Sequence, residues 1–190
     1  GDVVVELTGE GVDSLYTGID LSLAADQEIE FLRANAGMTG LTLGGNDLAN
    51  RIYGAAGDDT LDGGAGDDSM SGGVGNDVYL VNSLLDKVTE ASGQGTDTVR
   101  TSLSTYQLVQ NVENLVYTGP IGFYGEGNTL DNVITGGAGD DTLVGGLGND
   151  VLSGGDGSDL ASYASAAGAL TVNLVLGTVS GNQGNDTLVS

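Results

Sequence analysis

"GDDTLDGGAGDDSMSGGVGNDVYL", residues 57–80, sets glycines, paired acids and a lone apolar residue in a nine-residue cycle. Asp58 stands beside Asp59, Asp67 beside Asp68 and Asn76 beside Asp77, while Leu61, Met70 and Tyr79 return at the same step. Two carboxylates 4 Å apart repel by about 4 kcal/mol at an effective dielectric near 20. So dense a row of acids on glycine-rich backbone needs a compensating partner, and the cycle indicates where to look for it.

Three units follow without gaps: "GAAGDDTLD" (54–62), "GGAGDDSMS" (63–71) and "GGVGNDVYL" (72–80). A second block reads "GGAGDDTLV" (136–144), "GGLGNDVLS" (145–153) and "GGDGSDLAS" (154–162). Glycine fills the first and fourth positions. Aspartate fills the sixth, as Asp59, Asp68, Asp77, Asp141, Asp150 and Asp159. An apolar residue fills the eighth, as Leu61, Met70, Tyr79, Leu143, Leu152 and Ala161. Degenerate units extend both blocks: "GNDLANRIY" (45–53) and "GNTLDNVIT" (127–135) carry Asn50 and Asn132 at the sixth position. "VNSLLDKVT" (81–89) keeps Asp86 and Val88 in register without the glycines, and "GNQGNDTLV" (181–189) restarts the pattern with Asp186 and Leu188.

A longer period lies above the short one. "DVVVELTGEGVDSL" (2–15) parallels "DKVTEASGQGTDTV" (86–99), and "QEIEFL" (27–32) parallels "QNVENL" (110–115), so residues 1–85 and 86–168 read as two copies of one module. The resulting organisation is a β spacer at 1–44, a first repeat block at 45–89, a second β spacer at 90–126 and a second block at 127–162. Residues 163–190 form a strand pair joined at Gly177 and the start of a further repeat, because "TVNLVLGTVSG" alternates apolar and polar residues. The longer apolar runs in 14–43 and 98–126 predict broader strands there.

Composition narrows the chemistry. Four basic residues face 27 acidic ones in 190, a net charge of −23. Such a chain is repelled by nucleic acid and by anionic membrane surfaces, and favours metal ions as partners. No segment is long and apolar enough to insert in a membrane. The chain starts at Gly1 rather than at methionine, and reads as a fragment of a larger protein. Cysteine and histidine are both absent, which removes thiolate and imidazole metal sites, Ser-His-Asp triads and imidazole bases. Any metal site must use oxygen donors, which suit calcium, magnesium or manganese.

Each unit splits into a glycine-rich half and a three-residue half such as "TLD". Glycine tolerates positive φ and close backbone approach, so the first half makes a tight turn. The second half is too short for a helix but suits a short strand whose middle residue points inward. Two units, eighteen residues, complete one coil with a strand on each face, and coils bury their faces against one another. The expected fold is all-β, a parallel β-roll or β-solenoid built from nonapeptides. Sixth-position residues eighteen apart then stack on one edge: Asp59 with Asp77, Asp68 with Asp86, Asp141 with Asp159, Asn50 with Asp68, and Asn132 with Asp150. Each pair could grip an ion between coils, with backbone carbonyls completing six to eight oxygen ligands in the manner of calcium.

These units resemble the RTX (repeats-in-toxin) calcium-binding nonapeptide, GGxGxDxUx, with U a large apolar residue. The resemblance implies a right-handed parallel β-roll that folds on binding several calcium ions, type I secretion, and an extracellular, secreted or cell-surface location. It implies metal ligation by the sixth-position aspartates. Backbone ligation is expected from Gly57, Gly64, Gly66, Gly73, Gly75, Gly137, Gly139, Gly146, Gly148, Gly155 and Gly157 in the turns around them. Ala55 in place of a second glycine and the small Ala161 depart from the pattern, and Asn50 and Asn132 predict weaker sites.

The fifth-position acids Asp58, Asp67 and Asp140 read as solvated turn residues, since Asn76, Asn149 and Ser158 replace them. Asp13 and Asp97, in "GEGVD" and "GQGTD", stand near Glu6 and Glu90 and could hold further ions or be plain surface turns. Acids repeating at constant spacing form a ligand array rather than one catalytic pair, so no catalysis is expected within this fragment. Two other roles stay open: a structural adhesin, surface-layer or matrix module that self-associates with calcium, and an accessory module among the other domains of a secreted polysaccharide-modifying enzyme.

Overall fold

The computed structural model describes residues 11–37 and 40–189. The chain forms two compact units, residues 1–97 and 98–190.

In the first unit, β1 (Ser14–Thr17), β3 (Phe31–Ala34), β5 (Arg51–Ala56), β7 (Ser69–Val74) and β9 (Lys87–Val88) form one parallel ladder in that order. The alternate strands β2 (Leu21–Ser22), β4 (Thr42–Gly44), β6 (Thr60–Asp62) and β8 (Val78–Val81) form another. Successive strands therefore go to opposite ladders, and every second strand pairs with its predecessor. That is a parallel β-roll, and no described residue is helical.

The eighth-position residues fill the interior. Leu32, Ile52, Met70 and Val88 stand in register along the odd-numbered strands, and Leu43, Leu61 and Tyr79 along the even ones. All seven are buried. Each such side chain contributes roughly 1.5–3 kcal/mol, and it can do so only because the neighbouring coils cover it.

The second unit repeats the scheme. One ladder runs through β10 (Thr98–Thr101), β12 (Asn114–Tyr117), β14 (Val133–Ala138) and β16 (Val151–Asp156), with Val99, Leu115, Ile134 and Leu152 in register and buried. The other runs through β11 (Thr105–Gln107), β13 (Tyr124–Glu126), β15 (Thr142–Val144) and β17 (Leu160–Ala161). At Gly125, between Tyr106 and Leu143 in this ladder, the Phe123 ring takes the space a side chain would fill, stacked on Tyr117 at 4.5 Å.

Residues 14–43 and 98–126 continue the roll, with one difference from the sequence reading. Their strands are two to four residues long, shorter than the six-residue β5, β7, β14 and β16 of the repeats. What varies is the loop length. Repeat strands pair eighteen residues apart, as Thr60 with Val78, whereas Ser14 pairs with Phe31, Phe31 with Arg51 and Leu21 with Leu43. Apolar residues in these segments, such as Ile29, Leu108 and Val112, are buried from the loops rather than from wider strands.

Near the end, β18 (Thr171–Asn173) and β19 (Thr178–Gly181) form an antiparallel hairpin whose turn ends at Gly177. Next, β20 (Gly184–Val189) returns to pair in parallel with β16, Leu152 opposite Leu188. β16 and β20 pair 36 residues apart instead of eighteen, so the interruption adds one coil's length and the following repeat docks on the one before it.

Candidate metal centre

Five of the six sixth-position aspartates share one setting, buried in the turn one residue before a strand: Asp59 before β6, Asp68 before β7, Asp77 before β8, Asp141 before β15 and Asp150 before β16. The glycine turn folds the side chain back beneath its own loop, and all five are almost wholly buried, 0–1 % exposed.

One carboxylate oxygen is engaged in a fixed way. Oδ1 accepts the backbone N–H of the residue one coil earlier. Asp59 accepts from Leu41 at 2.6 Å, Asp68 from Asn50 at 2.8 Å and Asp77 from Asp59 at 2.8 Å. Asp141 accepts from Phe123 at 2.8 Å and Asp150 from Asn132 at 2.9 Å. The other oxygen is not engaged: Oδ2 of Asp59, Asp68, Asp77, Asp141 and Asp150 is buried without a hydrogen-bond partner. A buried, charged oxygen with no partner is costly unless a cation or a proton completes it.

The neighbouring backbone is shaped around that oxygen. A Cβ on the first-position glycine of the same unit would overlap it, at Gly54 against Asp59, Gly63 against Asp68, Gly72 against Asp77, Gly136 against Asp141 and Gly145 against Asp150. The carbonyl of the first glycine one coil later enters the same space. The Gly72 carbonyl oxygen lies over Gly54 with Asp59 Oδ2, and the Gly154 carbonyl oxygen over Gly136 with Asp141 Oδ2. A carboxylate oxygen and a carbonyl oxygen thus both face the space beside a first-position glycine, an all-oxygen pair that suits a hard divalent cation.

The sequence reading put the backbone donors at the second and fourth glycines. Those eleven, Gly57 through Gly157, all have left-handed φ, between +83° and +142°. At Gly75 a Cβ would overlap the Gly57 carbonyl one coil earlier, so glycine there permits coil-to-coil approach. The carbonyls of the first-position glycines Gly72 and Gly154 also stand beside the carboxylates, at positions outside those eleven. Their sequence signal was the unbroken glycine at position one in all six units.

Burial is the main cause of altered acidity. It raises the Asp77 carboxyl to about 7 against the hydrogen bond from the Asp59 N–H, with help from the charges of Asp97, Asp59 and Glu90. Asp68 and Asp150 are raised to about 6 by the same burial, and Asp59 and Asp141 are raised as well.

The remaining expected positions differ. Asp86 is half-buried and both its oxygens are engaged, Oδ1 by Asp68 N–H at 3.0 Å and Oδ2 by the N–H groups of Asn82 and Ser83. Asp159 accepts from Asp141 N–H at 3.0 Å but is exposed at the end of its block. Asn50 and Asn132 are buried with both amide atoms engaged. Asn50 accepts from Asn46 N–H and donates to the Ile29 carbonyl; Asn132 accepts from Asn128 N–H and donates to Glu113.

Fifth-position residues are exposed but not simply solvated. Asp58 Oδ1 accepts Asn76 N–H at 2.7 Å and Asp140 Oδ1 accepts Ser158 N–H at 2.9 Å, both from one coil later. Asp131 and Asn149 make the same bond. Asp67 accepts the Ser83 hydroxyl at 3.4 Å.

Among the residues whose role was open, Asp97 and Glu90 come together with Asp77. Asp13 donates its N–H to Glu30 at 2.8 Å, and Glu6 lies outside the described residues. Asp186 takes the next-coil place above Asp150, accepting its N–H at 3.0 Å across 36 residues.

Comparison with known proteins agrees with this geometry. The family model of the RTX calcium-binding nonapeptide repeat (4 copies) matches residues 44–79 and 126–161. The chain is 41 % identical over 89 residues to the endo-1,3-1,4-beta-glycanase ExsH of Rhizobium meliloti (strain 1021), covering 46 % of this chain and 19 % of that protein. It is 41 % identical over 87 residues to the endo-1,3-1,4-beta-glycanase EglC of the same strain, covering 45 % of this chain and 18 % of that protein. The chain therefore spans about a fifth of the length of these relatives. No solved structure matches it significantly.

Proposed function

From the premise that the chain carries RTX calcium-binding nonapeptide repeats, we propose that Asp59, Asp68, Asp77, Asp141 and Asp150 hold calcium ions between successive coils and so fold the module. The supporting observation is the row of buried, unpartnered Oδ2 atoms, each packed so close to a first-position glycine that any side chain there would overlap it. First-position glycine carbonyls complete the donor sets, together with carbonyls of the positive-φ turns. Asp86, Asp159, Asn50 and Asn132 are the weaker ligands, because their polar atoms are engaged or exposed.

Calcium supplies the positive charge that the array lacks. The chain's own residues hold Oδ1 against the preceding coil, exclude water from Oδ2 and keep the apolar ladders in register. An extracellular repeat site binds with a dissociation constant of about 10⁻⁴–10⁻³ M. Each site at 100-fold excess over that constant adds about 2.7 kcal/mol. In a calcium-poor cytosol the module would stay unfolded and competent for type I secretion, and outside the cell it would fold.

The parent protein is the second part of the reading. Similarity to two endo-1,3-1,4-beta-glycanases favours an accessory module of a secreted polysaccharide-modifying enzyme, with the chemistry elsewhere in that chain. Equilibrium dialysis tests the array. Wild-type chain should bind several calcium ions, and a variant with asparagine at 59, 68, 141 and 150 should lose most of them. An unchanged ion count would overturn the assignment.

A further inference from the structure

We infer that Asp77, Glu90 and Asp97 form a second kind of calcium site, with three carboxylates, two of which lie beyond the repeats that the family model covers. The inference builds on the array reading above, which includes Asp77, and adds Glu90 and Asp97 from outside the repeat pattern. One carboxylate oxygen from each of the three lies within 4.8 Å of the other two, and all three residues are buried.

A second observation points to a ligand. Asp77 Oδ2 is buried, unpartnered and seated over Gly72. The Gly72 N–H donates to the Tyr79 hydroxyl at 2.7 Å, and that hydroxyl donates to Glu90 Oε1. Glu90 is thus held by an interior tyrosine on the side of the turn where the Asp77 oxygen lacks a partner.

Asp97 supplies the next coil. Its Oδ1 accepts the Asp77 N–H at 2.8 Å, and a Cβ on Gly95 would overlap the Gly75 carbonyl, as a fourth-position glycine does. "GQGTD" (93–97) therefore takes the next-coil place as a repeat would, twenty residues after Asp77 instead of eighteen. Glu90 is the addition, since no sixth-position pair elsewhere gathers a third acid within this distance among the described residues. The donor set is all oxygen and carries three negative charges. Affinity at oxygen sites rises with ligand charge, so this site fills first, at about tenfold lower calcium than the two-carboxylate sites.

Terbium as a calcium probe, excited through tyrosine in the full chain, gives the test together with calcium calorimetry. The first equivalent of terbium should emit through Tyr79. Tyr79→Phe should remove that first phase, and Tyr53→Phe, whose ring instead lies under Arg33 at 4.2 Å, should not. In calorimetry, Glu90→Gln should lose the tightest calcium phase, while Asp141→Asn loses only a weaker one. A first terbium phase unaltered in Tyr79→Phe, or a tightest calcium phase unaltered in Glu90→Gln, overturns the site. If Asp141→Asn still loses an ion in that case, the array stands without it; if neither variant loses one, both readings fall.

Discussion

The backbone N–H of Asp59 donates to Oδ1 of Asp77, one coil further on, at 2.8 Å. Its neighbour makes the reverse bond: Asn76 N–H donates to Asp58 Oδ1 at 2.7 Å. The adjacent residues of each turn thus clasp the next coil in opposite directions, the sixth position from within and the fifth from the surface. Asn149 with Asp131 and Asn132 with Asp150 repeat the arrangement in the second unit. The inner clasp leaves a charged oxygen buried; the outer one leaves it in water.

That difference separates two otherwise similar substitutions. Asp58→Ala removes one exposed acceptor and should cost about 0.5–1.5 kcal/mol. Asp68→Ala strands the buried Asn50 N–H, at about 1–3 kcal/mol, and also removes a proposed calcium ligand. Thermal unfolding in saturating calcium should show the larger loss for Asp68→Ala. Equal losses would mean that the two positions are not distinct.

Gly72→Ala probes the space beside the carboxylate. Gly72 is not in the left-handed region, so alanine fits its backbone, and the nearest obstacle is the Asp77 carboxylate. Overpacking of this kind costs about 1–3 kcal/mol. In a double-mutant cycle with Asp77→Ala the two losses should be strongly sub-additive. Additive losses would place the effect of Gly72→Ala elsewhere.

Acid should partly substitute for calcium. Asp77 is raised to about 7, and Asp68 and Asp150 to about 6, chiefly by burial, from an ordinary value of 3.8. Between about pH 4 and 7 the folded, metal-free chain therefore holds protons that the unfolded chain releases. Its stability falls as pH rises through that window and grows as pH falls. In chelator, the far-UV β-signal should be larger at pH 5 than at pH 7.5, whereas apparent calcium affinity should be lower at pH 5. A metal-free chain less stable at pH 5 would contradict the burial of these carboxylates.

Ala55 holds a glycine place with φ +83°, exposed on its turn. A left-handed conformation costs an L-residue about 1–2 kcal/mol, while glycine adds about 0.5–1 kcal/mol of unfolded-state entropy. Ala55→Gly should therefore stabilise the calcium-bound chain by about 0.5–1 kcal/mol in a thermal melt. A lower melting temperature would argue against strain at this turn.

The nine-residue spacing made the roll legible, because Leu61, Met70 and Tyr79 can share an interior only if the chain turns once in eighteen residues. It also separated Asp59 from Asp58, since a single step along the turn reverses which side chain faces inward. Other features depend on geometry that spacing does not carry. Whether Asp58 reaches Asn76 N–H depends on the rise between coils. Asp186 meets Asp150 only because a hairpin interrupts the repeat without displacing the stack. Glu90 joins Asp77 through the hydroxyl of Tyr79, a residue whose ring alone suffices for its place in the core.

Far-UV circular dichroism of the chain during a calcium titration addresses the central claim, that buried carboxylates keep this roll from folding until calcium completes them. At pH 7.5 in chelator the spectrum should be that of a coil, and β-structure should appear cooperatively as calcium rises into the millimolar range. An equal β-signal in excess chelator would contradict it.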